Sequence, residues 1–174
     1  MPEFVRILGI DCGTQCLGFG VIDSDGYSHR LVGSGALHPK PTEVLAFRLR
    51  TLAASLRQVF IDYAPQVVAV EGVFSKINPR AALQLTHARG VALLLAAEHG
   101  VAPVEYAPAT VKAMIAGHGR AEKEQVARIV QSLLQIQQPF AKGDESDALA
   151  IALCYALQQN FARAARQQPR VGEQ

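Results

Sequence analysis

Short apolar runs and longer runs with helical spacing follow one another along the chain in an order that predicts a mixed sheet. Val5 to Ile10 is apolar and β-branched, the signature of a buried strand, and it stops at Asp11-Cys12-Gly13-Thr14. Leu17 to Asp23 reads as a second strand, Asp25-Gly26 as a hairpin turn, and Tyr27 to Leu37 as a third strand antiparallel to the second. After Pro39-Lys40-Pro41, with Thr42 as the expected N-cap, Leu45, Leu49, Leu52, Leu56 and Val59 recur at helical spacing until Pro65. Val67 to Val70 is apolar throughout, which suits a parallel strand at the centre of a sheet, and it ends at Glu71-Gly72. Ala81 to Ala97 is a helix that is apolar nearly all round and therefore needs cover on more than one side. From pattern alone that second cover is equally a protein core or a partner subunit.

Gly100 stops this helix, Val101 to Tyr106 forms a fifth strand, and Pro108 opens a short helix through Met114. Gly117-His118-Gly119 is a break, Ala121 to Leu134 an amphipathic helix, and Asp144 to Phe161 a last helix with acids where the helix dipole favours them. Three antiparallel strands followed by alternating helix and strand predict an α/β fold. Its five-stranded mixed sheet carries two parallel strands after the antiparallel three, with helices on both faces. Residues 1–162 form one domain, and 163–174, polar and basic around Pro169, are read as a tail without fixed structure.

Composition narrows the class. Of 174 residues, 49% are hydrophobic and 18% charged, a globular balance. The longest apolar stretches fall well short of the ~20 residues needed to cross a bilayer, and the N-terminus lacks the features of a secretory signal. Three cysteines, Cys12, Cys16 and Cys154, read as reduced thiols in a cytoplasmic protein, and none has zinc-ligand spacing. The net charge of +2 says little until four acids are set aside as a cluster; 17 basic residues then face 11 of the 15 acidic ones, a balance compatible with a polyanionic partner.

The chemistry lies at the strand ends. Asp11 follows the first strand and Glu71 the fourth, where α/β sheets gather their sites. Asp144 and Asp147, three residues apart at a helix start, share one helix face. Each has an ordinary alternative: a turn residue, a strand-end acid, an N-cap, a first-turn acid. Together on such a sheet they would form a four-carboxylate cluster that a hard divalent cation stabilises. Mg²⁺ or Mn²⁺ suits an all-oxygen donor set, and two such ions can hold a phosphodiester, activate water and stabilise the leaving oxygen.

The segments Gly9-Ile10-Asp11-Cys12-Gly13-Thr14, Val70-Glu71-Gly72-Val73-Phe74, His87-Ala88-Arg89-Gly90-Val91, Ala121-Glu122-Lys123 and Asp144 to Ala152 resemble the RuvC family, in order and spacing from about residue 5 to about 160. The resemblance implies a ribonuclease-H-like fold and a metal-dependent endodeoxyribonuclease. It implies a homodimer that binds a four-way junction and nicks two strands symmetrically, leaving 5′-phosphate and 3′-hydroxyl ends. It assigns Asp11, Glu71, Asp144 and Asp147 as the catalytic, metal-binding set, makes the apolar helix a dimer helix, and suggests RuvA and RuvB as partners. One residue departs from the family pattern: Cys12 stands where relatives usually carry Pro, which changes turn stiffness and not a metal ligand.

Phe74 would stack on an unpaired base or else fill the core, and Lys76 and Arg80 would hold phosphates or else stay solvated. Lys112 and Lys123 match basic family positions that face DNA, while His118 and Arg120 are weaker candidates; His29, His38, His87 and His99 read as structural or surface residues. Three rival readings stand beside the resolvase: a YqgF-like nuclease acting on RNA, an actin-like ATPase, which would need a chain about twice as long, and a non-catalytic junction-binding scaffold.

Overall fold

The structure, a computed structural model, describes residues 3–72, 79–140 and 143–167. Three strands, β1 (Val5–Asp11), β2 (Leu17–Ser24) and β3 (His29–Leu37), form an antiparallel meander. They are followed by α1 (Leu45–Tyr63), β4 (Val67–Glu71), α2 (Pro79–Glu98), β5 (Pro103–Tyr106), α3 (Pro108–Ala116), α4 (Lys123–Leu133) and α5 (Gly143–Gln167). The strand order is β3-β2-β1-β4-β5, with β4 parallel to both β1 and β5. The predicted five-stranded mixed sheet is therefore the one observed.

Strand parity sorts the core onto two faces, because successive side chains of a strand point to opposite sides. Ile7, Ile22, Ala69 and Tyr106 join α3, α4 and α5 in one buried cluster. Leu8, Ile10, Val21, Val68 and Val70 join α1 and α2 in the other. In α1, Leu52, Leu56, Val59 and Phe60 supply the buried stripe. The helix α5 lies on the β1–β2 pair more closely than ordinary side chains permit. A Cβ on Gly9 would stand 2.1 Å from the Ala148 carbonyl oxygen, and one on Gly18 would stand 2.2 Å from that of Asp144. Glycine inside a strand is the residue that admits such an approach.

Several local expectations are corrected. Thr42 does not cap α1: the turn before the helix closes with Glu43 N donating to the Lys40 carbonyl, and Val44 takes the cap position in extended backbone. The β2–β3 connection is a four-residue loop and not a two-residue Asp-Gly turn, because the Asp25 carboxylate accepts the backbone N–H groups of Tyr27 and Ser28 at 2.9 and 2.7 Å. Helix α5 continues to Gln167, past the expected boundary at residue 163. The sequence Phe161-Ala162-Arg163-Ala164-Ala165-Arg166-Gln167 holds strong helix formers, and no proline intervenes before Pro169. The rest of the expected tail lies outside the described residues.

Candidate active site

Parity also aims the two strand-end acids. Asp11 lies two steps beyond Gly9 and Glu71 two beyond Ala69, so both point to the α5 face. The parallel register pairs Ile10 with Val70, and Asp11 and Glu71 are the next residues along that ladder. They therefore end neighbouring strands side by side. Gly18, paired with Asp11 across the β1–β2 ladder, meets Asp144 at the start of α5, and this contact brings the third and fourth acids over the strand ends. Asp144 and Asp147 fall on one face of the first α5 turns.

The electrostatics express this proximity. Burial pushes the Asp11 carboxyl up to about 7, and the charges of Glu71, Asp147 and Asp144 add to the rise, with Lys123 opposing. Glu71 is raised by burial and then by Asp147, while Lys112 and Lys123 pull it down. Asp147 is raised by burial, against a hydrogen bond from Lys123. The Lys123 ammonium donates to Asp147 Oδ2 at 2.5 Å, and the pairing raises its own pKa.

The acids are coupled without being closed into a coordination shell. Among the described residues, no three His, Cys, Asp or Glu side chains converge on a single metal-holding point. Instead an ammonium, at Asp147, supplies the positive charge nearest the acids. Next to it opens a cleft of about 150 Å³ bounded by Glu71, Lys112, Lys123, Val126, Asp147 and Ile151. The helix Pro108–Ala116 delivers Lys112, and the first residue of α4 delivers Lys123. Lys123 lies flat over Gly143, where a Cβ would stand 2.8 Å from its Cε.

Of the acids and lysines singled out from sequence, Glu71, Lys112, Lys123 and Asp147 thus line the cleft, and Asp11 and Asp144 join them through charge. Phe74 and Lys76 lie outside the described residues, and Arg80 sits in the first turn of α2, its side chain likewise outside them. His118 and Arg120 are solvent-exposed on the α3–α4 connection. His29 pairs with Ser24 Oγ at 2.8 Å and His99 stacks on Phe60 with 4.5 Å between ring centroids, both structural roles. Cys12 is buried beneath the site, and burial pushes its thiol up, so it acts as a small core hydrophobe. No disulfide joins Cys12, Cys16 and Cys154.

Two contributions escaped the sequence reading: the glycines that seat α5, and Arg48, whose guanidinium reaches from α1 to the turn after Asp11. Glycines within a strand run were the available sign of the first. Nothing local signals the second, since Arg48 and Thr14 are 34 residues apart.

The family model described as crossover junction endodeoxyribonuclease RuvC matches residues 7–155. A relative of that name from Myxococcus xanthus is 44% identical over 162 residues, covering 92% of this chain and 83% of its own. One from Koribacter versatilis is 41% identical over 152 residues, covering 87% and 92%. Among solved structures, T. thermophilus RuvC in complex with Holliday junction substrate superimposes with a TM-score of 0.84 at 33% identity, covering 91% of this chain and 96% of its own.

Proposed function

Because the chain belongs to the RuvC family of crossover junction endodeoxyribonucleases, we propose that it resolves four-way DNA junctions by hydrolysis at the carboxylate cluster of Asp11, Glu71, Asp144 and Asp147. The observation that carries this reading is the electrostatic influence that acids as distant in sequence as Glu71, Asp144 and Asp147 exert on Asp11.

The donor set fits a divalent cation. All four side chains offer oxygen, the ligand that Mg²⁺ and Mn²⁺ take. The Asp11 carboxyl is raised chiefly by burial and then by the charges of Glu71, Asp147 and Asp144, which the Lys123 ammonium opposes. Asp11, Glu71, Asp144 and Asp147 would hold two such ions, which when bound supply water activation and stabilisation of the departing 3′ oxygen. The protein's own part is to gather and orient the acids. Asp11, half-buried at the sheet end, fixes one side of the cluster, and the first turns of α5 fix the other. Lys112 and Lys123, bordering the cleft, place positive charge where a DNA phosphate would enter. Phe74 would stack on a base freed at the junction centre, with Lys76 and Arg80 on the adjoining backbone.

The outer face of α2 supports the reading of a homodimer. Leu83 and Leu94 are 61% and 59% exposed there, and between them Gly90 has open space where a side chain would stand. Leu83, Gly90 and Ala97 recur at seven residues, as do His87 and Leu94, a stripe suited to a second helix. The opposite face of α2, with Ala88, Ala92, Leu95 and Ala96, is already buried in the protomer. Two protomers joined there would give two active sites and hence paired nicks. RuvA and RuvB are the partners expected of the family, in the cytoplasm; no described helix is long and apolar enough to cross a membrane.

The test is a synthetic mobile four-way junction, offered beside a structured RNA, with Mg²⁺, Mn²⁺ or EDTA. The expected result is paired junction nicks with 5′-phosphate and 3′-hydroxyl ends, dependent on metal. Cleavage of the RNA alone would redirect the assignment to an RNA-processing nuclease of the same fold.

A further inference from the structure

We infer that Arg48 is a positioning residue of the active site, holding the turn after Asp11 so that the Asp11 carboxylate is fixed for cation binding. The inference rests on the reading of Asp11 as a metal ligand. Its geometric basis is independent of that reading.

Arg48 lies in the first turns of α1, on the sheet face opposite α5. From there its Nε and one terminal nitrogen both donate to the carbonyl oxygen of Thr14, at 3.1 and 2.5 Å. A hydrogen bond from a charged donor is worth roughly twice a neutral one. Both donors converge on one backbone atom three residues beyond Asp11. Thr14 is buried, 4% exposed. The turn it belongs to is tight: a Cβ on Gly13 would stand 2.3 Å from the Cys16 carbonyl oxygen. A turn this constrained has little room to adjust locally, so a shift of Thr14 passes to its neighbours, of which Asp11 is the last residue still held by the sheet ladder.

Both hydrogen bonds end on main chain, so Arg48 acts on Asp11 through the backbone of the turn. Groups that orient a metal ligand commonly change metal affinity by about 10–100-fold when removed. A role confined to holding α1 against the meander would instead lower the melting temperature and leave metal affinity alone.

The experiment measures Mn²⁺ binding to the full chain without DNA by titration calorimetry, for the wild type, Arg48→Met and Arg48→Lys. Junction binding in EDTA and melting temperature are recorded for each. The expected result is Mn²⁺ affinity weakened about 10–100-fold in Arg48→Met. Arg48→Lys, which retains one donor, should be weakened less, with junction affinity within about twofold of wild type in both. Nicking by Arg48→Met should be slow at low Mn²⁺ and recover at high Mn²⁺. Wild-type Mn²⁺ affinity in Arg48→Met would overturn the inference. So would a loss of junction affinity at unchanged metal affinity, since that would place Arg48 on DNA. If Arg48→Met does not fold, Arg48→Lys decides by the same comparison. Absence of nicking by the wild type would count against the nuclease reading alone, whereas absence of Mn²⁺ binding by the wild type would remove both.

Discussion

Asp11 carries the electrostatic tension of the site, and the tension has a measurable sign. Its carboxyl is raised from 3.8 to about 7, chiefly by burial. Below pH ~4 folded and unfolded chains both hold the proton. Between ~4 and ~7 the unfolded chain releases it while the folded chain keeps it, so metal-free protein loses stability as pH rises through that window. Asp11→Asn removes the liability. In EDTA at pH 7.5 the variant should melt at least about 3 °C above wild type, the size expected of roughly 1 kcal/mol in a chain of this length. At pH 4 the difference should vanish. Equal melting temperatures at both pH values would mean that burial does not hold the Asp11 carboxyl above its ordinary value. Lys123 makes the complementary case: it is the cation paired with Asp147, so Lys123→Met should raise the Asp147 and Glu71 pKa values further, detectable as a carboxyl shift by NMR titration, because both are held down in part by this ammonium. An unmoved Asp147 would show that the pair contributes nothing in solution.

At the scale of elements, the site exists because α5 rests on strand backbone. Gly9 and Gly18 leave room for the carbonyls of Ala148 and Asp144 to approach within distances no side chain allows. Gly18→Ala should lift the start of α5, destabilise the fold by about 1–3 kcal/mol, and cut the nicking rate by about 100-fold, as a displacement near 1 Å does to reacting groups. A variant that melts lower but nicks at the wild-type rate would separate the seat from the catalysis. This level also shows how much could be read beforehand. Strand identity and the acids at strand ends were legible, since apolar runs and period-two alternation report burial directly, whereas the β1–β4 pairing comes from the fold. The boundaries were not. The Asp25 side chain replaces a tight turn with a longer loop, and a turn around Lys40 to Glu43 delays α1 beyond Thr42. The depth at which α5 sits was hidden too, because a strand glycine marks close approach without naming the partner.

In the whole molecule, the chain folds as one sheet with two unlike faces: α3, α4 and α5 frame the cleft, while α1 and α2 lie behind it. The exposed stripe on α2 belongs to that rear layer. Leu94→Asp, solvent-facing in the protomer, should leave the fold intact, yield a monomer by light scattering, and abolish coincident nicking of the two junction strands. A dimer that survives this change would place the interface elsewhere. The sequence pattern left α2 open between core and interface; in the protomer one face is buried and the other, with Leu83 and Leu94, is uncovered. The central claim remains that four acids, drawn from β1, β4 and α5, act as one catalytic centre. The most direct measurement is nicking of a mobile four-way junction by Asp11→Asn and by Glu71→Gln, with junction binding measured in parallel. The account predicts that each loses cutting by at least about a thousandfold, the scale of about 4 kcal/mol of lost transition-state stabilisation, while binding stays within about twofold. Near-normal cutting by either variant would contradict it.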